Sequence, residues 1–264
     1  MIETPDTPDS KIYMCDNKDH AIKLIHYFDN EGQITDWSLY KNNKLISSKI
    51  RQAKKAKVWK KIISEVLNLK RVNRILIVGG SDQVISNLLL KYPCNITVID
   101  PCSYLYFNEP FKSFFKIKDF VNTINDKDLE PRKMIALDFD LYEAFEDQCL
   151  NKNSFDLILV DNYEDDLYNY SSIYNKEYTP IYKSLLKDNG HLIINHLLKI
   201  VDLTSNPLDI VTYPHSMIKD IKQTNKVYKS YLASLNNSLS LIESYVEDEN
   251  NKLDVYKNSY MTEL

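Results

Sequence analysis

Four apolar runs, each closed by a glycine pair or an aspartate, constrain this chain more than any other feature. Arg74-Ile-Leu-Ile-Val78 leads into Gly79-Gly80, and Asn95-Ile-Thr-Val-Ile99 into Asp100. Lys133-Met-Ile-Ala-Leu137 leads into Asp138, and Phe155-Asp-Leu-Ile-Leu-Val160 into Asp161. Aliphatic runs with little polar alternation suit strands covered on both faces. Segments of helical period lie between them, including Gln83–Lys91 and Tyr178–Leu186. His191–Asn195, after the turn Asp188-Asn189-Gly190, adds another strand. This alternation predicts an α/β chain: a Rossmann-like, doubly wound, mostly parallel sheet.

The flanks read differently. Residues 1–10 are acidic and proline-bearing, with little to bury, and are expected to be disordered. Residues 11–52 carry short strands, Lys11–Cys15, Ala21–Phe28, Ile34–Tyr40 and Leu45–Ile50. Turn residues part them: Asp16-Asn17, Asp29-Asn30-Glu31-Gly32 and Asn42-Asn43. A small N-terminal β-sheet is expected there. The nucleoside-binding domain is then placed at 53–215. It opens with a helix over Ala53–Leu69, in which Val58, Ile62, Ile63, Val66 and Leu67 share a face and Lys54, Lys55, Lys57, Lys60 and Lys61 form a solvated one. Residues 216–264 are expected to be a helical C-terminal extension. Ile218, Ile221, Tyr228, Leu232, Leu235, Leu239, Ile242 and Val246 keep close to a 3.6-residue period across Met217–Val246. That stripe suits either packing on the sheet or a homodimer face.

Charge narrows the function classes. The 33 basic and 37 acidic residues give a net charge of −4, without the basic excess of a general nucleic-acid binder. The opening residues lack the basic and apolar regions of a secretion signal, and no apolar run approaches the roughly 20 residues that span a bilayer. No membrane partner is expected, and a cytoplasmic location is. Cys15, Cys94, Cys102 and Cys149 form no CxxC pair and are read as reduced thiols. The five histidines, at 20, 26, 191, 196 and 215, show no metal-ligand spacing, so no metal is expected.

In an open parallel sheet, ligands bind beyond the carboxyl ends of the strands, near the point where strand order reverses. The four run ends are therefore the candidate site. Only four glycines occur in the chain, and two stand together at 79–80, where they let the backbone turn sharply and approach a ligand closely. Asp100, about twenty residues further on, suits a carboxylate accepting from two ribose hydroxyls. Asp138 suits an adenine amino group, with Phe139 beside the ring. The loop reads Gly79-Gly80-Ser81-Asp82-Gln83-Val84, without the third glycine of a dinucleotide fingerprint. Asp82 would repel a pyrophosphate. A cationic, phosphate-free nucleoside, a sulfonium, fits better.

These residues resemble the spermidine synthase-like aminopropyltransferases, a branch of the class I methyltransferase fold. The family has G-G-G-D-G where this chain has Gly79-Gly80-Ser81-Asp82-Gln83, an acid matching Asp100, and D-G or D-A matching Asp138-Phe139. Its D-S-S-D matches Asp161-Asn162-Tyr163-Glu164. A later L-F-x-x-x-F-Y pattern resembles Ile173–Tyr178, followed by the Gly190 turn and the strand Leu192–Asn195. The likeness covers about residues 34–200.

The resemblance implies decarboxylated S-adenosylmethionine, or S-adenosylmethionine itself, as co-substrate and a small amine as acceptor. Asp82 would hold the donor ammonium, and Gly79, Gly80, Ser81, Asp100, Asp138 and Phe139 the nucleoside. Asp161 would be the catalytic base that deprotonates the acceptor, and Glu164 would hold a second ammonium. Tyr163 and Tyr174, with Tyr168 and Tyr170, would line a cation-binding groove. A homodimer in polyamine biosynthesis is the expected setting. Where the family carries Y-H-E, this chain reads Lys55-Ala56-Lys57-Val58-Trp59-Lys60-Lys61. An S-adenosylmethionine-dependent methyltransferase, and an inactive relative that binds or regulates a partner, are the alternatives.

Overall fold

The computed structural model describes residues 10–17, 20–41, 43–48, 59, 61–62, 72–79, 94–99, 134–137, 141–160, 175–197, 215–246 and 251–259. Its first unit is an antiparallel meander of four strands, β1 (Ser10–Asn17), β2 (His20–Phe28), β3 (Ile34–Lys41) and β4 (Lys44–Ser48), in that order. This is the small N-terminal sheet read from the sequence. The β2–β3 turn shows why it forms where it does. Asp29 Oδ1 accepts from the backbone N–H groups of Glu31 and Gln33, each at 2.9 Å. Gly32 takes φ 76° and donates to the Asp29 carbonyl. An aspartate that bonds two following amides, then a glycine in the left-handed region, closes the hairpin.

The second unit is a seven-stranded sheet. Its strands are β5 (Arg74–Val78), β6 (Asn95–Ile99), β7 (Met134–Leu137), β8 (Phe155–Val160), β9 (Leu186–Leu197), β10 (Ser240–Val246) and β11 (Asn251–Lys257). The spatial order is β10-β11-β9-β8-β5-β6-β7. The β7-β6-β5-β8-β9 part is parallel, while β11 runs antiparallel to both β9 and β10. The α/β, Rossmann-like reading of the sequence is therefore the architecture found.

Both faces of the sheet are buried. On one, Leu76, Ile158, Val160, Leu192 and Ile194 pack with α1 (Leu141–Glu146), α2 (Tyr178–Leu185) and α3 (His215–Ser238). Leu141 and Ala144 come from α1, Ile181, Tyr182 and Leu185 from α2, and Tyr228, Tyr231 and Leu235 from α3. On the other face Ile75, Ile77, Leu157, Leu159, Ile193, Leu253 and Val255 are buried as well. Each such aliphatic side chain contributes about 1.5–3 kcal/mol of transfer free energy, which explains why these strands read as near-continuous apolar runs.

The helical C-terminus expected from the sequence needs correction. The helix ends at Ser238, and Ser240–Val246 and Asn251–Lys257 form the antiparallel pair β10–β11 at the edge of the sheet. Tyr228, Leu235 and Leu239 of the expected stripe are buried in the protein's own core, so they offer no face to a second copy. Ile242 belongs to β10 and is exposed. The expected turn at Asp188–Gly190 lies inside β9. There three extra residues bulge from the ladder: two steps of β8, Phe155 to Leu157, face five of β9, Leu186 to His191. Asn189 takes φ 61°, and the Asn258 side chain donates to the Leu186 and Lys187 carbonyls. Among the described residues no helix is long and apolar enough to cross a membrane. Of the helix expected over Ala53–Leu69, Trp59 and Ile62 are buried and Lys61 is exposed, as its apolar and lysine faces require; its other residues lie outside the described set.

One carboxylate gathers the amino ends of three central strands. Asp156 Oδ2 accepts from the N–H groups of Asn73 and Arg74 at 2.9 Å each, and Oδ1 accepts from Lys187 Nζ at 2.7 Å. Asp156→Ala is expected to lower unfolding free energy by about 2–3 kcal/mol through three lost charge-assisted bonds, read as a shift in the urea midpoint with m unchanged. Asp156→Asn should lose less.

Candidate active site

The parallel strands end on a single rung. Val78, the last residue of β5, pairs with Ile99, the last of β6, and with Val160, the last of β8. Ile99 pairs with Leu137, the last of β7. The rung continues across the sheet from Val160 to Ile194, Asp254 and Ser244. Strand order reverses at β5, because the chain moves outward through β6 and β7 and returns to pair β8 against the other side of β5. The crevice expected of an open sheet therefore lies beyond Val78 and Val160.

The residues that follow this rung in sequence are Gly79, Asp100, Asp138, Asp161 and Asn195. Four of the five are run-end residues read as a site from the sequence alone. Gly79 is described directly. It takes φ 80°, and its N–H donates to the Ile99 carbonyl at 2.9 Å. The ladder thus gains one more bond before the backbone turns away in a conformation that glycine adopts without strain. Gly80, Ser81, Asp82, Asp100, Asp138, Phe139, Asp161, Tyr163, Glu164 and Tyr174 lie outside the described residues.

Asn195 was missed in the sequence reading. It is fully buried on β9, one residue beyond the shared rung, at the level that Gly79 occupies on β5. The signal was present: a polar amide closes the run Leu192-Ile193-Ile194, as an aspartate closes the others. Tyr182, which trails the tyrosine pattern, is a core residue. Burial raises its pKa, with Tyr178 adding to the effect, and a hydrogen bond with Tyr231 partly offsets it. His191 sits toward the amino end of β9. Pairing with Leu157 places it three rungs short of the carboxyl edge, and burial and the nearby Lys257 lower its pKa. Among the described residues no group of His, Cys, Asp and Glu could hold a metal ion.

Comparison with known proteins agrees with the topology. The chain is similar to the crystal structure of spermidine synthase from Thermotoga maritima, with a TM-score of 0.58 and 10% identity over 94% of this chain and 73% of that one. It is similar to a spermidine synthase in complex with the transition state analogue AdoDATO at 0.57 and 10%, over 94% and 72%. No family model matches the sequence, and no curated protein matches it. At this identity the likeness establishes a shared α/β, Rossmann-like fold.

Gly79→Ala forces a Cβ into the left-handed region. It is expected to cost about 1–2 kcal/mol of stability, measurable by thermal or urea unfolding.

Proposed function

We propose that this protein is a transferase that moves an aminopropyl or related alkyl group from a sulfonium nucleoside, decarboxylated S-adenosylmethionine, to a small amine. The observation that carries the reading is the common rung at the switch point. The four sequence positions that follow the ends of β5, β6, β7 and β8 are one glycine with φ 80° and three aspartates. The spermidine synthase structures with the same fold support it: one of them is described in complex with a transition state analogue.

Each residue has a physical task in this reading. Gly79 and Gly80 let the backbone approach the nucleoside. Asp100 accepts from the ribose hydroxyls, and Asp138 from the adenine amino group with Phe139 against the ring. Asp82 pairs with the donor ammonium. An amine acceptor is protonated near neutral pH and carries no free lone pair until a base removes the proton. Asp161 takes that proton. The amine nitrogen then forms a bond to the methylene beside the sulfonium, the carbon–sulfur bond breaks, and its electron pair neutralises the sulfur as methylthioadenosine leaves. Glu164, Tyr163 and Tyr174 hold the remaining charge of the acceptor. The lysines at 55, 57, 60 and 61 stand where the family carries Y-H-E, so the acceptor differs from the usual polyamine.

The test is to incubate the protein with S-adenosylmethionine or its decarboxylated form and a mixed amine pool, and to identify the nucleoside released by mass spectrometry. Amine-dependent methylthioadenosine is the expected product, and Asp161→Asn should lower kcat/KM by about 10²–10⁴-fold. Release of S-adenosylhomocysteine would mean methyl transfer. Retained nucleoside without turnover would mean a binding protein.

A further inference from the structure

The shared rung carries a buried carboxyl group that the proposed reaction does not use. Asp254 lies on β11, paired with Ile194 of β9 and Ser244 of β10, and is 2% exposed. The Ser244 hydroxyl donates to its Oδ1 at 2.6 Å. It faces Tyr228 of α3 and Tyr256 of its own strand. Its negative charge raises both phenols beyond what burial alone does, and Tyr256 is hydrogen-bonded to it. Hydrogen bonds from hydroxyls to a carboxylate favour its charged form over the neutral acid.

Its position matters because of the register. Asp254 is level with Val160, two strands away, which is about 10 Å at the usual strand spacing of about 4.8 Å. Val160 borders the switch point, where a ligand sits beyond the strand ends. A ligand beyond Val160 lies further off, and two unit charges about 10–15 Å apart, at an effective dielectric constant of about 20, change a binding constant by roughly five- to fifteenfold. Burial keeps the charge from being screened by salt as a surface carboxylate would be.

Resting on the nucleoside-transferase reading, we infer that Asp254 is a specificity-determining residue: its buried charge makes the carboxyl edge of the sheet favour a positively charged sulfur over a neutral one, without touching the ligand. The substrate form is thereby held more tightly than the neutral thioether product, which favours product release.

The experiment compares two nucleosides by calorimetry: decarboxylated S-adenosylmethionine, and the thioether left when its sulfur loses the methyl group. They differ in the charge on sulfur. In wild type the sulfonium should bind more tightly. Asp254→Asn, which keeps an acceptor for Ser244, should reduce that preference by about five- to fifteenfold, chiefly by weakening the sulfonium. Ser244→Ala removes the hydrogen bond and keeps the charge. It should lower stability and leave the preference unchanged. An equal loss for both nucleosides in Asp254→Asn, or an unchanged ratio, overturns the inference and leaves the transferase reading standing. An unfolded Asp254→Asn would pass the decision to Asp254→Glu, which keeps the charge: a ratio within twofold of wild type supports the inference and a collapsed ratio overturns it. Failure of wild type to bind either nucleoside overturns both readings together.

Discussion

Everything at the carboxyl edge of this sheet depends on a bond made at its other end. Asp156, on β8, accepts from the amides of Asn73 and Arg74 at the start of β5 and from the ammonium of Lys187 on β9, which ties three strands together near their amino ends. Parallel strands have no tight turn between them to set their alignment, and a slip of one residue would exchange their two faces. With the start pinned, strand length decides where each strand stops. Although they differ in length, β5, β6, β7 and β8 all end on one rung. A carboxylate more than 80 residues distant in sequence from the amides it binds thereby ties together strands whose carboxyl ends share one rung.

The hydrophobic layers then make the edge rigid. The sheet is apolar on both faces, and α2 packs Ile181, Tyr182 and Leu185 against it. Close-packed cores resist small displacements, which holds the rung in a fixed geometry. Gly79 closes the first central strand with φ 80°, a turn that a side chain would strain.

The legible part of the sequence was the part with one available reading. A run such as Ile75-Leu-Ile-Val78 is too short for a buried helix and too apolar for a surface strand, and its closing glycine or aspartate marks the end. The hairpin β10–β11 was not legible for the opposite reason. Ile242 and Val246 continue the helical spacing of Leu235 and Leu239, so the stripe gave no sign of stopping. What stops the helix is tertiary: β11 pairs with β9 along seven residues, from Asn251 to Lys257, and β10 pairs with β11. The alternation of Leu253 and Val255 with Asp254 and Tyr256 was there to read, but an acidic neighbourhood made it look solvated. Asn195 was overlooked because an amide at the end of a run was given less weight than an acid. The candidate aspartates stood out because charge at a strand end is chemically conspicuous, whereas the place of a buried Asp254 shows only once register is known.

The placement of β11 has a further consequence for how the chain comes together. Although β10 is made first, it has no neighbour in the sheet until β11 arrives, because β11 lies between it and β9. During synthesis, therefore, β9 presents an open hydrogen-bonding edge until residue 257 has left the ribosome, and a nascent chain interrupted before then carries an unpaired apolar strand that other chains can join. Among the described strands the last to emerge is an interior one, so closure of this sheet waits on completion of the hairpin.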